Sequence, residues 1–149
     1  MKTRIIRDAK LGDAEAISQL IIQTLKETNA KDYSQAVIEE VIKNFSPAQI
    51  TARIKQREVF VVEQEDIIAT ASLEKNMVRS VFVLPSKQDQ HIGSLLMHHL
   101  EKIAKQKNIL VLIVPSSITA EGFYRKLGYT AVRDEYYGEE RTIIMEKYL

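Results

Sequence analysis

Apolar positions along the chain change their spacing several times, and each change marks an element. Thr3 to Arg7 is a short first strand carrying Ile5 and Ile6. Leu11-Gly12-Asp13 then opens a helix, with Asp13 near its positive end. Ala14, Ile17, Leu20, Ile21 and Leu25 form its apolar stripe, and Thr28-Asn29 ends it. Val37, Ile38, Val41 and Ile42 mark a second helix behind Ser34, a natural cap. Ser46-Pro47-Ala48-Gln49 starts a third. Ser46 can cap, Pro47 suits the first helical position, and Gln49 completes a capping box.

The period then shortens. Val59–Glu63 and Ile67–Leu73 read as an antiparallel hairpin around Gln64-Glu65-Asp66, and Met77–Val83 extends it to a meander. A helix from His91 to Gln106 carries Ile92, Leu95, Leu96, Leu100 and Ile103 on one stripe. Leu110–Val114 is a continuous apolar run, expected of a strand covered on both faces. A helix over 119–126 stops at Leu127-Gly128, and Thr130–Tyr136 pairs with Arg141–Lys147 as a last hairpin. One strand, helices, three strands, a helix, a strand, a helix and two strands give an α/β or α+β fold with a mixed sheet.

Composition narrows the function classes. The 149 residues form a single expected domain, 1–149, with no repeat, linker or low-complexity tract. A net charge of +1 offers no electrostatic argument for nucleic acid or an anionic membrane surface. The chain has no cysteine, which excludes disulfides and thiolate nucleophiles. No apolar run reaches spanning length and the first residues lack a signal-peptide core, so the cytoplasm is the expected location. His98 and His99 are adjacent and point apart on a helix, and no third ligand stands at a suitable spacing from His91, so no metal is expected.

The stretch most suited to chemistry is 81–96. Val81-Phe82-Val83 ends at Leu84-Pro85, a polar turn follows, and a helix begins near His91. Unpaired N–H groups and the macrodipole at such a helix start favour an anion, and Gly93 would let a ligand approach the backbone. A polar strand–helix junction with one glycine is also ordinary scaffolding, and the residues alone leave both readings open.

Gln88-x-x-His91-x-Gly93, preceded by Val81-Phe82-Val83-Leu84-Pro85, resembles the pyrophosphate loop of the GNAT superfamily of acyl-CoA-dependent N-acyltransferases. That loop reads Gln/Arg-x-x-Gly-x-Gly/Ala, and this chain departs from it at His91. Further on, Ser117, Ala120, Phe123, Tyr124, Gly128 and Tyr129 are similar to a second pattern of the same superfamily, at the expected distance across one helix and one strand.

The resemblance implies a mixed, mostly antiparallel sheet of about seven strands with flanking helices. It also implies acetyl-CoA as co-substrate, with the pantetheine arm in a gap between Met77–Val83 and Leu110–Val114. Val81, Phe82 and Val83 would then meet the arm. The amides of Gln88, Asp89, Gln90, His91, Ile92, Gly93 and Ser94 would hold the pyrophosphate, and Ser117 would lie alongside. Tyr124 falls at the position that protonates the departing thiolate. A phenol stays protonated at neutral pH and is a reasonable donor, although the same residue could serve as packing. Relatives often carry a base on the strand before the loop. Met77–Val83 has no carboxylate, which makes Glu74 the nearest candidate.

The expected activity is acetyl transfer to a primary amine of a small molecule. The alternatives are a protein N-acetyltransferase and a non-catalytic acyl-CoA-binding module. The acceptor pocket would draw on Asp32, Tyr33, Glu135 and Tyr136, whose two acidic segments lean towards a cationic amine. Relatives often dimerise, which extends to this chain the expectation of a homodimer.

Overall fold

The computed structural model describes residues 3–149. Strand β1 (Ile5–Asp8) leads into α1 (Ala14–Glu27), α2 (Gln35–Ile42) and α3 (Pro47–Gln56). The caps expected from sequence form: Ser34 Oγ accepts the Val37 N–H, and Ser46 and Gln49 exchange the two bonds of a capping box. Strands β2 (Glu58–Gln64), β3 (Asp66–Glu74) and β4 (Met77–Val83) follow, then α4 (Ile92–Gln106), β5 (Val111–Ser116), α5 (Glu121–Lys126), β6 (Thr130–Tyr137) and β7 (Glu140–Tyr148).

The strands form one seven-stranded sheet in the order β1-β2-β3-β4-β5-β7-β6. Every pairing is antiparallel except β4 with β5. Both faces of the central strands are covered, which is why β2 reads as an unbroken apolar run. Val59 and Val61 turn towards α1 and α3, while Phe60 and Val62 turn towards α4.

The pair β4–β5 is unlike the rest, because its only register partners are Met77 and Ile113. Two local features explain the parting. Between the pairs Thr70–Phe82 and Ser72–Arg79, β3 advances two residues while β4 advances three, a bulge that puts Ser80 in the left-handed region at φ 53°. On the other side, Ile113 donates its N–H to Asn76 C=O at 2.9 Å. Pro115, two residues on, faces the same way and has no N–H to donate.

One surface expectation is corrected. The charged side of the helix over 91–106 suggests a solvated face, and Lys102 and Lys105 are indeed exposed. Glu101 is buried instead. Its Oε2 accepts the Tyr129 hydroxyl at 2.8 Å, and Lys147 Nζ donates to both its oxygens at 3.1 and 3.2 Å. The carboxylate ties α4 to the stretch after α5 and to β7. Replacing Glu101 by Ala leaves a buried hydroxyl and an ammonium without a partner, so urea denaturation should show a loss of about 3 kcal/mol. Glu101→Gln, which keeps a bond to Tyr129, should lose about half of that. A loss below about 1 kcal/mol for Glu101→Ala would reduce the cluster to a surface ion pair.

Candidate active site

The gap between β4 and β5 opens into a cavity of about 810 Å³. Val81, Phe82 and Val83 line one wall and Val114, Pro115 and Ser117 another. The Leu84 N–H bonds to Ile68 C=O of β3 at 2.8 Å, so Val83 directs its own backbone groups the other way, into the gap. Its carbonyl is already engaged there, accepting the Gln88 side-chain amide at 3.1 Å and the Thr24 hydroxyl at 3.4 Å. The same Gln88 amide reaches Thr28 Oγ1 at 3.2 Å. Gln88 therefore positions the loop by joining the end of α1 to the end of β4.

At the start of α4 the first helical bond runs from Leu95 N–H to His91 C=O at 3.0 Å, so the amides before it find no acceptor in the helix. Asp89 and His91 both have positive φ, 62° and 61°. Alternating handedness of this kind curls successive N–H groups into an anion-binding nest. His91 stands where the superfamily pattern has glycine, and its left-handed backbone gives the physical reason for that glycine. Asp89, His91, Ile92, Gly93 and Ser94 line the cavity. Gln90 does not: its side chain and carbonyl accept from Arg4 on the outer side of the loop, at 2.7 and 3.4 Å. Lys87 and Lys126 also reach this wall. They add cationic charge, Lys87 just before the first motif and Lys126 at an unspecified position of the second.

Gly93, which lines the cavity, also has a packing role that the sequence does not suggest. A Cβ there would stand 3.0 Å from Cε1 and Cζ of Phe123. The absent side chain makes room for a protein ring, and that ring in turn packs edge-on against Tyr124, with centroids 5.0 Å apart. Ser117 similarly has work within the chain, its Oγ accepting the Ala120 N–H at 3.1 Å at the turn into α5.

Tyr124 lies at the floor of the cavity with 4% of its surface exposed. Burial raises its phenol well above the ordinary range, so it stays protonated. Glu74 is not among the cavity-lining residues. It closes the β3–β4 turn, where Arg57 and Arg79 stand 3.8 and 3.6 Å from its oxygens. The carboxylate on the acceptor side of the cavity is Glu140, raised by desolvation.

The acceptor side is otherwise rearranged relative to expectation. Tyr33 lines the cavity, and its hydroxyl accepts the Ile118 N–H at 2.6 Å and donates to Arg141 C=O at 3.0 Å. Asp32 points aside, accepting the Thr119 hydroxyl at 2.8 Å. Glu135 and Tyr136 do not reach the cavity, whereas Tyr137 does. The reason is the turn. Only Gly138 and Glu139 connect the last strands, so Tyr137 and Glu140 are paired strand residues rather than loop residues. Alternation then sends Tyr136 to the opposite face.

This architecture can be compared with known proteins. A family model described as "Acetyltransferase (GNAT) domain" matches residues 29–149. The chain belongs to the acetyltransferase (GNAT) domain family. Its class of reaction is acetyl-CoA-dependent N-acetyl transfer. A GCN5-related N-acetyltransferase from Rhodopseudomonas palustris is similar at 25% identity and TM-score 0.92, over 100% of this chain and 98% of that one. The PaiA N-acetyltransferase from Thermoplasma acidophilum, solved with coenzyme A, is similar at 23% identity and TM-score 0.83, with 99% of each chain covered. The protein yncA from Salmonella typhimurium, solved with its cofactor acetyl-CoA, shares the fold at 20% identity and TM-score 0.69, over 98% and 94% of the two chains. Comparison with curated proteins gives no match. Among the described residues, no helix is long and apolar enough to cross a membrane.

The GNAT fold makes the cost of His91 testable. A left-handed non-glycine residue costs about 1–2 kcal/mol, partly offset by the greater freedom glycine has when unfolded. His91→Gly should therefore raise stability by about 0.5–1 kcal/mol in denaturant titrations. Because the nest consists of amides, CoA affinity by calorimetry should change by less than about threefold, under 1 kcal/mol. A tenfold loss would assign the imidazole itself to the phosphates.

Proposed function

We propose that the protein acetylates a primary amine of a small molecule by direct attack on acetyl-CoA, with Tyr124 as general acid and Glu140 as the carboxylate that receives the amine's proton. One observation carries the reading. A single cavity joins the amide nest before α4 to an acceptor end bounded by Tyr33, Tyr137 and Glu140, with Tyr124 at its floor. The open backbone of the parted strands, the nest and the nearby Lys87 and Lys126 suit a pantetheine arm ending in phosphates. The Tyr33 bridge from Ile118 to Arg141 crosses the acceptor end. Such a bridge favours a small amine over a protein segment.

The proton inventory balances. The amine nitrogen attacks the thioester carbonyl carbon, and the carbon–sulfur bond breaks. Glu140 takes a proton from nitrogen, and the Tyr124 hydroxyl gives one to sulfur. The products are an amide and a free thiol, and the proton on Glu140 returns to the phenolate through water. Glu140 suits the role better than Glu74, which two arginines hold away from the cavity lining.

Tyr124→Phe keeps the ring's packing and removes the transferable proton. Turnover should fall about 100- to 10,000-fold, with CoA affinity changed by less than about tenfold. Single-turnover thiol release is the appropriate measurement, since slow product release would mask a change in chemistry. Near-native release in the variant would return Tyr124 to a packing role.

Glu140 makes a separate prediction through pH. Its carboxyl is raised by burial, so the competent carboxylate form is lost as pH falls through a value higher than that of an exposed glutamate. The acid limb of kcat/KM should lie there in the native protein and vanish in Glu140→Gln, leaving only the limb of the amine. An unchanged limb in the variant would remove Glu140 from proton transfer.

A further inference from the structure

Three arginines gather on the sheet face turned away from α4. Arg53 lies on α3, Arg57 immediately follows it, and Arg79 projects from β4 beside the Ser80 bulge. Glu74 lies between Arg57 and Arg79 at 3.8 and 3.6 Å, a single carboxylate for the cluster. Arg53 stacks over the Phe45 ring at 4.8 Å, and the charges that bear on it, from Arg57 and Arg79, are both positive. Burial lowers both Arg53 and Arg57 from their ordinary values, and the neighbouring guanidinium groups act in the same direction.

The hydrogen bonding is equally incomplete. Arg53 Nη1 is buried with no hydrogen-bond partner among the described residues, and Arg57 Nε and Arg79 Nε, the buried atoms that face Glu74, stand too far from it for a hydrogen bond. Buried cationic donors without acceptors are unfavourable, and like charges held together add to the cost. An oxyanion would relieve both at once, since guanidinium N–H groups match carboxylate and phosphate geometry.

The cluster also has access. Arg79 lines the large cavity, as do Phe45, Tyr137 and Glu140. It acts electrostatically on the Tyr137 hydroxyl, which Glu140 also influences. Arg79 stands four residues before Val83 on β4, about 12 Å from the end of the strand that leads into the amide nest. The cationic end is thus separate from the one that receives the phosphates of the co-substrate.

We propose that the acceptor is a primary amine bearing an oxyanion at its far end, a carboxylate or a phosphate, which Arg79 binds with Arg53 and Arg57 behind it. This rests on the amine-acetylating reading of the same cavity. It replaces the cationic acceptor suggested by the acidic segments in the sequence, whose carboxylates at Asp32 and Glu135 do not line the cavity. Glu140 is left to meet the amine, and the arginines meet the anion. A zwitterion uses both.

A matched set of straight-chain primary amines tests this, their far ends being carboxylate, phosphate, ammonium or methyl. In steady-state assays with acetyl-CoA, the carboxylate- or phosphate-ended amine should show the highest kcat/KM, and the better of the two identifies the oxyanion. Arg79→Gln should lower kcat/KM for the anionic amines about ten- to a hundredfold more than for the methyl-ended one, mainly through KM, as expected for loss of a charge-assisted bond. Arg79→Glu should shift the preference towards the ammonium-ended amine. Calorimetric titration of the four amines into the protein saturated with CoA reads the same selectivity without turnover. If no amine is acetylated yet the anionic ones bind best and lose that advantage in Arg79→Gln, the acetylation reading fails and the oxyanion site stands. An ammonium- or methyl-ended amine that binds as well as the anionic ones, or an equal loss for all four amines in Arg79→Gln, overturns the proposal.

Discussion

The constraint on which the rest depends is the parting of β4 and β5 after one register pair. Within a sheet, backbone N–H and C=O groups are satisfied by the neighbouring strand, and opening a gap in the middle of seven strands leaves them in need of partners. The chain enforces the opening from both sides. The extra residue at Ser80 twists β4 out of register, and Pro115 removes a donor from β5. Some of the exposed groups are taken up internally, as Val83 C=O is by Gln88 and Thr24. The remainder can be met by a ligand with amide groups of its own. In the proposed reading a defect in the ladder becomes the binding site, between the two apolar layers on either face.

The proposed phosphate end follows from the same opening. Because β4 leaves its neighbour, the loop after Leu84 must be fixed by other means, and Gln88 supplies them by spanning from Val83 to Thr28. Left-handed backbone at Asp89 and His91 then shapes the turn whose residues line the cavity. Gly93 is part of this mechanism at one remove. It lets Phe123 close against α4, and Phe123 sets the edge against which Tyr124 packs. A residue of the Gln88-x-x-His91-x-Gly93 motif thus also holds the ring of the proposed acid in place.

Much of this was legible in the sequence. The order of elements and the caps at Ser34 and Ser46 follow from period and capping chemistry, which are local properties, whereas the strand buried on both faces is β2 and not the run over 110–114, where Leu110 is exposed. The gap itself was available only through the family resemblance. The acceptor end was harder to read for a specific reason. The segment 137–140 has the composition of a loop, yet it closes as a two-residue turn, and this decides that Tyr137 and Glu140 face the cavity while Tyr136 does not. The burial of Glu101 is not legible on a helical wheel, which cannot show that Tyr129 and Lys147, from elsewhere in the chain, converge on that face. The arginine cluster was invisible for the same reason, its members being spread over α3, its end and β4.

In the proposed mechanism, burial sets the proton chemistry as much as residue type does. Desolvation raises both the Tyr124 phenol and the Glu140 carboxyl. Taken alone, a raised phenol would be a poor acid, since it gives up its proton less readily than in water. A thiolate released into the same dry space is subject to the same penalty, and it becomes a stronger base as its solvation is lost. What governs the transfer is the difference between donor and acceptor, and a shared environment moves both in one direction. Glu140 gains from the shift as well, because a less acidic carboxyl is a better match for a proton leaving nitrogen. In the proposed mechanism, desolvation therefore brings donor, leaving group and base towards one another in proton affinity without a charged partner for Tyr124.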